Sequence, residues 1–380
     1  MMNEQGPRST EEENPSLSPI VLPDELIVAI LVRLPVSSLL RFKCVSKLWL
    51  SLISDTQFAK SHFDLAASPT HRLLLNCTHQ LQFQSLDIDS SPPNNESALL
   101  QYLRQEFHGY GIEYHIDFHP KLHVLGSCRG FLLLLSPNQN DFIVSNPSTG
   151  VQTLIPSSTS FRYSRHSQYG IGYDESTDDY LLVSINSFTI DLFSLKTNLP
   201  CSLPLDHEYQ LYDYYFASPI DLFLHGSLHW LVTSSLTKLS VVLAFDLVGK
   251  SLSEIALSPD LALKRKPYHF IEMTGCLGLC PGLCYSGNLG IIEIWIMKEY
   301  KLQSSWTKIV FSTHDILSTP RFFPICFTKC GHVFGSDEAG RFFRVNDKGK
   351  LLAVWPLDWK SNYRLLHSRM YTPSLLSLPS

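Results

Sequence analysis

Three groups of residues in this sequence have the types and spacing that chemistry could use. Gly126-Ser127-Cys128-Arg129-Gly130 has the spacing of a nucleophile elbow, with a cysteine in the nucleophile position. That motif requires a strand-to-helix turn, whereas an apolar run typical of a strand follows here. The sequence therefore favours a turn before a strand, and we predict no catalytic residue.

The second group consists of three histidines. His115, His119 and His123 are spaced by four, which on a helix would align three imidazoles for a metal ion. Pro120 would break that helix, because proline lacks the N–H and clashes with the preceding turn. We predict no metal site and no cofactor.

The third group, Cys276, Cys280 and Cys284, is also spaced by four but has glycine and proline between its members and no Cys-x-x-Cys pair. Buried or half-buried thiols explain it. The chain has nine cysteines in all, an odd number at irregular spacing, and its start lacks the basic and apolar regions of a secretory signal. We expect reduced thiols, in the cytoplasm and/or the nucleus.

The composition argues against two classes of protein. With 30 Lys and Arg against 35 Asp and Glu the net charge is −5, and no stretch concentrates the positive charge that phosphate binding requires. No apolar run approaches the roughly 20 residues of a membrane-spanning helix. We expect no nucleic-acid partner and no membrane partner.

Two different periodicities divide the chain. Residues 1–19, which include three consecutive glutamates, show no apolar period and are predicted to be a disordered leader. From Leu22 to Phe63 the apolar residues recur with a helical period that is interrupted at Pro35. This pattern predicts a small module of three helices over residues 20–63.

Beyond residue 70 short alternating apolar runs between Gly, Pro, Asn and Asp predict β-strands. One unit recurs about every 50 residues, a length typical of propeller blades, because a single unit cannot bury both faces until neighbours stack around a ring. A sixth unit would run from His71 to Leu86, completed by Tyr363 to Tyr371. We predict a propeller-like domain over residues 70–371 and a flexible tail over 372–380. The equivalent apolar positions are Val144, Phe193, Phe245, Trp295 and Val345.

Many positions of the helical segment match one pattern in a single register: Leu22-Pro23-Asp24-Glu25-Leu26, Ile30-Leu31, Leu34-Pro35-Val36, Leu39 to Lys47 and Trp49. Over about 40 residues this segment resembles an F-box. The remainder contains residues 126–130, 145–150, 170–174 and 294–300, through which it resembles the F-box-associated domain of the plant F-box/kelch family, although the paired-glycine and Tyr/Trp signatures of kelch repeats are not cleanly repeated. The expected fold class is thus α+β with two domains, a three-helix F-box followed by an all-β, propeller-like domain of about six blades.

This resemblance implies a non-catalytic substrate-recognition subunit of an SCF-type (Skp-cullin-F-box) ubiquitin ligase. The F-box would dock a Skp-type adaptor and through it a cullin scaffold, while the β domain would capture an unknown protein substrate. A 40-residue module this apolar cannot enclose all of its apolar surface, which agrees with a partner. The adaptor-binding positions implied are Leu22, Pro23, Ile30, Leu31, Leu34, Pro35, Leu40, Val45 and Trp49.

Other interpretations remain open. Some of the apolar positions could be core of a free-standing module, and we assign Leu26, Ile27, Leu48 and Leu52 to that core. A glycan- or small-ligand-binding propeller that selects glycoproteins or ligand-loaded targets is the alternative function, and a propeller hydrolase or oxidase is a third. Loops that break the repeat and concentrate Tyr and Arg are the predicted substrate surface. Its candidate residues are Arg162, Arg165, Tyr209, Tyr212, Tyr214 and Tyr215.

Overall fold

Four short helices stand at the start of the chain. This computed structural model describes residues 22–65, 72–77, 82–89, 100–103, 123–136, 141–155, 161–164, 166–211, 221–262, 268–273, 275–281, 291–312, 322–337, 341–355 and 369–378. The predicted leader, residues 1–19, lies outside these ranges. The helices are α1 (Asp24–Leu31), α2 (Val36–Phe42), α3 (Lys47–Ser54) and α4 (Thr56–Leu65).

Local capping explains why the module has four helices instead of the three that we predicted. Ser46 precedes α3, and its hydroxyl accepts a hydrogen bond from the Trp49 N–H at 3.2 Å. Asp55 follows α3 directly, and its carboxylate accepts from the Phe58 N–H at 2.8 Å. A carboxylate in this position satisfies a free N–H of a new helix, so α4 begins at once.

Six blades follow and form the expected propeller; blade IV has five strands and each of the others has four. A short α-helix, α5 (Pro259–Ala262), and a short 3-10 helix (Gln303–Ser305) interrupt the strands among the described residues. The bounds are as follows: blade I, β1 (Arg72–Cys77), β2 (Gln82–Asp87), β3 (Leu100–Leu103); blade II, β4 (His123–Cys128), β5 (Phe131–Leu135), β6 (Phe142–Ser145), β7 (Gln152–Ile155); blade III, β8 (Gln168–Asp174), β9 (Asp179–Ile185), β10 (Thr189–Ser194), β11 (Pro200–Pro204). Blade IV has β12 (Tyr209–Leu211), β13 (Asp221–Leu224), β14 (Ser227–Ser234), β15 (Ser240–Asp246), β16 (Ser251–Ala256); blade V, β17 (Tyr268–Met273), β18 (Cys276–Pro281), β19 (Ile291–Met297), β20 (Trp306–Ser312); blade VI, β21 (Phe322–Phe327), β22 (Val333–Asp337), β23 (Phe342–Val345), β24 (Leu351–Trp355); and β25 (Arg369–Tyr371) completes blade I.

The unit that recurs about every 50 residues in the sequence corresponds to one blade of the propeller. The five equivalent positions fall on the third strand of blades II to VI, and all five side chains are buried. A third strand lies inside its blade and is covered on both faces by the neighbouring blades, which is why an apolar residue recurs there. The prediction of about six blades is confirmed.

The last strand closes the ring. β25 pairs antiparallel with β1, with Arg72 opposite Tyr371 and Leu73 opposite Met370. This confirms the predicted closure, which removes two strand edges that would otherwise be open to other chains. β12 and β13 both pair with β14, so they share the place of the first strand in blade IV.

The chain after β25 does not form the flexible tail that we predicted. Ser374, Leu375 and Leu376 are buried, and Asn146 holds this stretch through its amide. The Asn146 Nδ2 donates to the Ser374 carbonyl at 3.2 Å and to the Leu376 carbonyl at 3.0 Å. These bonds give buried carbonyls their partners, so residues 372–378 are an ordered part of the propeller.

The ring has two sides that differ in what they contact. Because successive strands of a blade run in opposite directions, their turns alternate between the sides. Turns from the first to the second strand and from the third to the fourth strand lie on the side that contacts α4, which we call the near side. Turns from the second to the third strand, and the connections between blades, lie on the opposite far side.

Candidate functional site

One face of the helical module is apolar and uncovered. Leu26 and Ile30 are spaced by four on α1, so they lie on one face of the helix, and Leu22 lies just before its N-cap Pro23. All three side chains are about half exposed, at 46%, 51% and 52%. Val45 and Leu48, at the start of α3, are exposed as well. We call these five residues the open face.

The opposite side of the module packs against the propeller. Leu31, Leu39 and Ile53 are fully buried in an apolar core that also contains Phe131 of blade II. Leu375 and Leu376 of the C-terminal segment belong to the same core. The helices and the near side of the ring therefore form one continuous interior.

Arg129 lies at the edge of the contact between the helical module and the propeller. Its guanidinium lies 4.7 Å from the ring centre of Phe63 in α4 and 4.3 Å from that of Tyr173 in blade III. A guanidinium between two aromatic rings is attracted to both ring faces. One Arg129 nitrogen is also 3.6 Å from a carboxylate oxygen of Asp64. The arginine thus joins α4 to two blades at once.

A second contact extends the Arg129 junction. The Tyr173 hydroxyl donates to Asp178 at 2.6 Å, and the Lys60 ammonium of α4 pairs with the same carboxylate. Burial and the bond to Asp178 raise the pKa of Tyr173 to about 12. The Lys60 and Tyr173 hydrogen bonds lower the pKa of Asp178, because they favour its charged form.

The cysteine in the elbow-like motif is structural. Arg129 and Gly130 both have positive φ, 46° and 89°, and they form the turn between β4 and β5. Cys128 is buried, and burial raises the pKa of its thiol, so it is held in the unreactive neutral form. The interpretation of this motif as a turn before a strand is confirmed.

The metal-like groups are dispersed or fall outside the described residues. His123 lies on β4, whereas His115 and His119 are outside the described residues. Cys276 and Cys280 lie on β18, the second of them buried, and Cys284 is outside. In the described ranges, no three His, Cys, Asp or Glu side chains lie together as metal ligands would. Within the same ranges, no helix has the length and apolar character needed to cross a membrane.

Most of the predicted adaptor-binding residues lie at the surface of the module. Leu31 is an exception that must be corrected, because it is 1% exposed inside the shared core and supports the open face from within. Leu26 and Leu48 were assigned to the core and are instead exposed, whereas Ile27 and Leu52 are half-buried. The spacing of four between Leu26 and Ile30 on the same helix could have revealed Leu26. The remaining predicted residues are exposed (Leu22, Pro23, Ile30, Pro35, Val45) or half-buried (Leu34, Leu40, Trp49).

The predicted substrate residues have different placements. Arg162 is exposed in the connection between blades II and III, on the far side. Tyr209 is buried, and its hydroxyl donates to Glu254 at 2.8 Å, so its prediction as a surface contact is wrong. It packs in the core between blades III and IV, where an aromatic ring fills the space between two sheets. Arg165, Tyr212, Tyr214 and Tyr215 lie outside the described residues.

An ion pair bridges the first strands around the axis of the ring. Arg369 of β25 pairs with Asp221 of β13 and donates to the Leu125 carbonyl of β4 at 2.8 Å. A Cβ atom on Gly126 would come within 3.0 Å of the Asp221 carboxylate, so glycine is needed there to leave room for it. These contacts join strands of blades I, II and IV.

These features define a class of protein: a six-bladed propeller that carries, on one side, a helical module with an uncovered apolar face. Residues 20–64 match the family described as F-box-like, and residues 106–377 match the F-box associated beta propeller domain. The second match alone covers more than half of the sequence. The chain therefore belongs to the family of F-box proteins with an F-box associated β-propeller.

The chain is also similar to individual known proteins. The chain is similar to the F-box protein CPR1 of Arabidopsis thaliana, at 27% identity over 315 residues that cover 76% of this chain and 72% of that protein. It is also similar to the F-box/kelch-repeat protein At3g23880 of the same plant, at 26% identity over 77% of this chain and 80% of that protein. Among solved structures, TolB from Acinetobacter baumannii is similar at 10% identity with a TM-score of 0.43, covering 80% of this chain and 69% of that one.

Proposed function

We propose that this chain is the substrate-recognition subunit of an SCF-type ubiquitin ligase. In this role the F-box binds a Skp-type adaptor, the adaptor binds a cullin scaffold, and the propeller holds the protein to be ubiquitylated. The chain itself carries out no chemistry. It raises the effective concentration of the substrate near the ubiquitin carrier, which is a contribution of proximity.

The open face is the observation that carries this proposal. The module has already used its other face to pack on the propeller, so the exposed stripe is not needed for its own fold. Burying apolar side chains of this size contributes about 1.5–3 kcal/mol each, and a few of them suffice for a stable complex. An adaptor that covers Leu22, Leu26 and Ile30 would remove this surface from water.

The arrangement of the two surfaces supports the same role. α4 and the C-terminal segment hold the module against the near side, which leaves the far side for a second protein. A bound adaptor and a bound substrate would then occupy opposite ends of one rigid body. For this role we propose a location in the cytoplasm and/or the nucleus.

Replacement of one open-face residue tests the proposal. Ile30→Lys places a charge on the exposed face of α1 and should weaken binding of a purified Skp-type adaptor at least about tenfold. Leu65→Lys is the matched control, because Leu65 is also exposed but lies at the end of α4 beside Asp64, which contacts the propeller. Calorimetric titration of both full-length variants measures the affinity.

The fold of each variant is checked by its thermal unfolding, which should be unchanged because both positions are at the surface. Adaptor binding by Ile30→Lys at the affinity of the unmodified chain would refute the assignment. Equal losses in both variants would also refute it, because they would place the contact outside the open face.

A further inference from the structure

Three turns on the far side of blades III and IV are joined to one another. The Leu205 N–H donates to the Phe188 carbonyl at 2.8 Å, which links the connection between the blades to the turn before β10. The Ser235 N–H donates to the Glu208 carbonyl at 3.3 Å, which links the same connection to the turn after β14. These bonds fix residues 186–189, 205–208 and 235–239 as one surface.

This surface presents the most exposed large apolar side chains of the described chain. Leu236 is 68% exposed and Phe188 is 66% exposed, and Leu239 adds a third at 39%. Single exposed apolar residues are ordinary, but the two highest values here fall on adjoining turns. An apolar group of this kind is typical of an interaction site.

The backbone holds these side chains outward. The Asn186 carboxamide oxygen accepts from the Phe188 N–H at 2.8 Å and from the Thr189 N–H at 2.9 Å. The Lys238 N–H donates to the Ser234 carbonyl at 2.9 Å, which closes the turn that carries Leu236. Such turns lose little entropy when a partner binds, since they are already ordered.

The charges around these turns indicate the chemistry of the partner. Asp206 and Glu208 are both exposed, and neither carboxylate pairs with a basic side chain within the described ranges. Lys238 is the one basic residue of the three turns apart from His207. Two exposed carboxylates beside exposed apolar groups favour a partner that brings positive charge.

We propose that Phe188, Leu236 and Leu239, with Asp206 and Glu208, form a substrate-binding patch that takes a protein segment with apolar side chains flanked by Lys or Arg. The proposal rests on the function given above and names the chemistry of its substrate. The patch lies on the far side, opposite the F-box, so a segment bound there leaves the open face accessible to the adaptor.

A bead-displayed peptide library tests this patch without any knowledge of the natural substrate. Two pools share random apolar positions, and the charged positions are Lys or Arg in one pool and Asp or Glu in the other. The purified full-length chain is fluorescently labelled. It should bind beads of the basic pool at least about tenfold more often than beads of the acidic pool. Phe188→Asp with Leu236→Asp should remove this enrichment.

Leu199→Asp is the matched control, because Leu199 is 65% exposed but lies on the near side, in the turn between β10 and β11. It should bind the basic pool like the unmodified chain. Asp206→Lys with Glu208→Lys should reverse the preference toward the acidic pool, an outcome that a general loss of folding cannot produce.

Equal retention of the two pools, retention of neither, or an equal loss in Leu199→Asp would overturn the proposal. Binding of the adaptor to the same preparations distinguishes a failure of this patch from a failure of the proposed ligase role. Peptide binding that fails while adaptor binding persists rejects this patch alone. Adaptor binding that fails in the unmodified chain rejects the ligase role, whichever peptides are retained.

Discussion

The helical module has two faces of similar apolar composition in opposite environments. Leu31 and Leu39 lie in the core shared with the propeller, whereas Leu22, Leu26 and Ile30 remain at the surface. A helical period marks both sets as apolar stripes and does not distinguish them. The difference comes from the near side of the ring and the C-terminal segment, which cover one face and leave the other for a partner.

The largest expected effect separates two neighbours in the sequence, Ile30 and Leu31. Leu31 is 1% exposed, so Leu31→Ala should lower the free energy of unfolding by about 2–5 kcal/mol, because it leaves a cavity. Ile30 is 52% exposed, and Ile30→Ala should change that free energy by no more than about 0.5 kcal/mol. Denaturant titration followed by far-UV circular dichroism measures both variants.

Adaptor affinity should show the reverse order. Ile30→Ala removes contact area from the open face, whereas the folded fraction of Leu31→Ala keeps that face intact. If the two variants lost similar amounts of stability, the division into a covered and an open face would be wrong.

A smaller loss of stability is expected when the C-terminal segment, which helps to cover the buried face of the module, loses its hydrogen bonds to Asn146. Asn146→Ala removes the donor to two buried carbonyls of the C-terminal segment and should cost about 1–3 kcal/mol. Asn346 lies in the corresponding turn of blade VI, where its side chain accepts from the Lys348 and Lys350 N–H groups of the same turn. Asn346→Ala is therefore the control, with an expected cost of about 0.5–1.5 kcal/mol.

Amide hydrogen exchange locates the effect of the Asn146 variant. Exchange of residues 372–378 and of α4 should become faster in Asn146→Ala, and both should stay protected in Asn346→Ala. Unchanged protection of α4 in Asn146→Ala would mean that the C-terminal segment does not help to hold the helices.

Regular features of the fold could be predicted because they repeat. An apolar residue on each third strand returns about every 50 residues, and that period alone indicates blades. The fourth helix was missed although Asp55 signals its start, because a single cap is a weak signal beside three stronger apolar stripes. That residues 374–376 are buried and held in place could not be predicted, because their contacts depend on Asn146, which is far away in the sequence.

The same limit applies to the candidate sites. The resemblance to an F-box identified several exposed apolar residues of the module, but the burial of Leu31 depends on the propeller. Tyr209 reads as a loop aromatic in the sequence, yet its ring fills the gap between two blades and its hydroxyl reaches Glu254. Exposure of Phe188 and Leu236 was not predicted, because apolar residues in short turns look like strand core until the strands are placed.

The smallest expected effect concerns charge at the edge of the covered face. Lys60 and Tyr173 lower the pKa of Asp178, so Asp178 stabilises the folded state above its ordinary titration range. That contribution should disappear as the pH falls through the lowered pKa, because the carboxylate is then protonated in both states. The Lys60 and Asp178 side chains are partly exposed, and solvent and salt screen their charges. We therefore expect a contribution of only about 0.2–1 kcal/mol to the free energy of unfolding.

Lys60→Met should remove the part of this contribution that Lys60 makes at neutral pH and increase hydrogen exchange in α4. Lys308→Met is the control, because Lys308 forms a similar pair with Glu293 at 2.9 Å between two strands of blade V, away from the helices. High salt should weaken the Lys60 contact in the unmodified chain and leave the Lys60→Met variant unaffected. If α4 exchanged equally in both variants, apolar packing and Arg129 alone would hold the covered face, and its edge charges would be incidental.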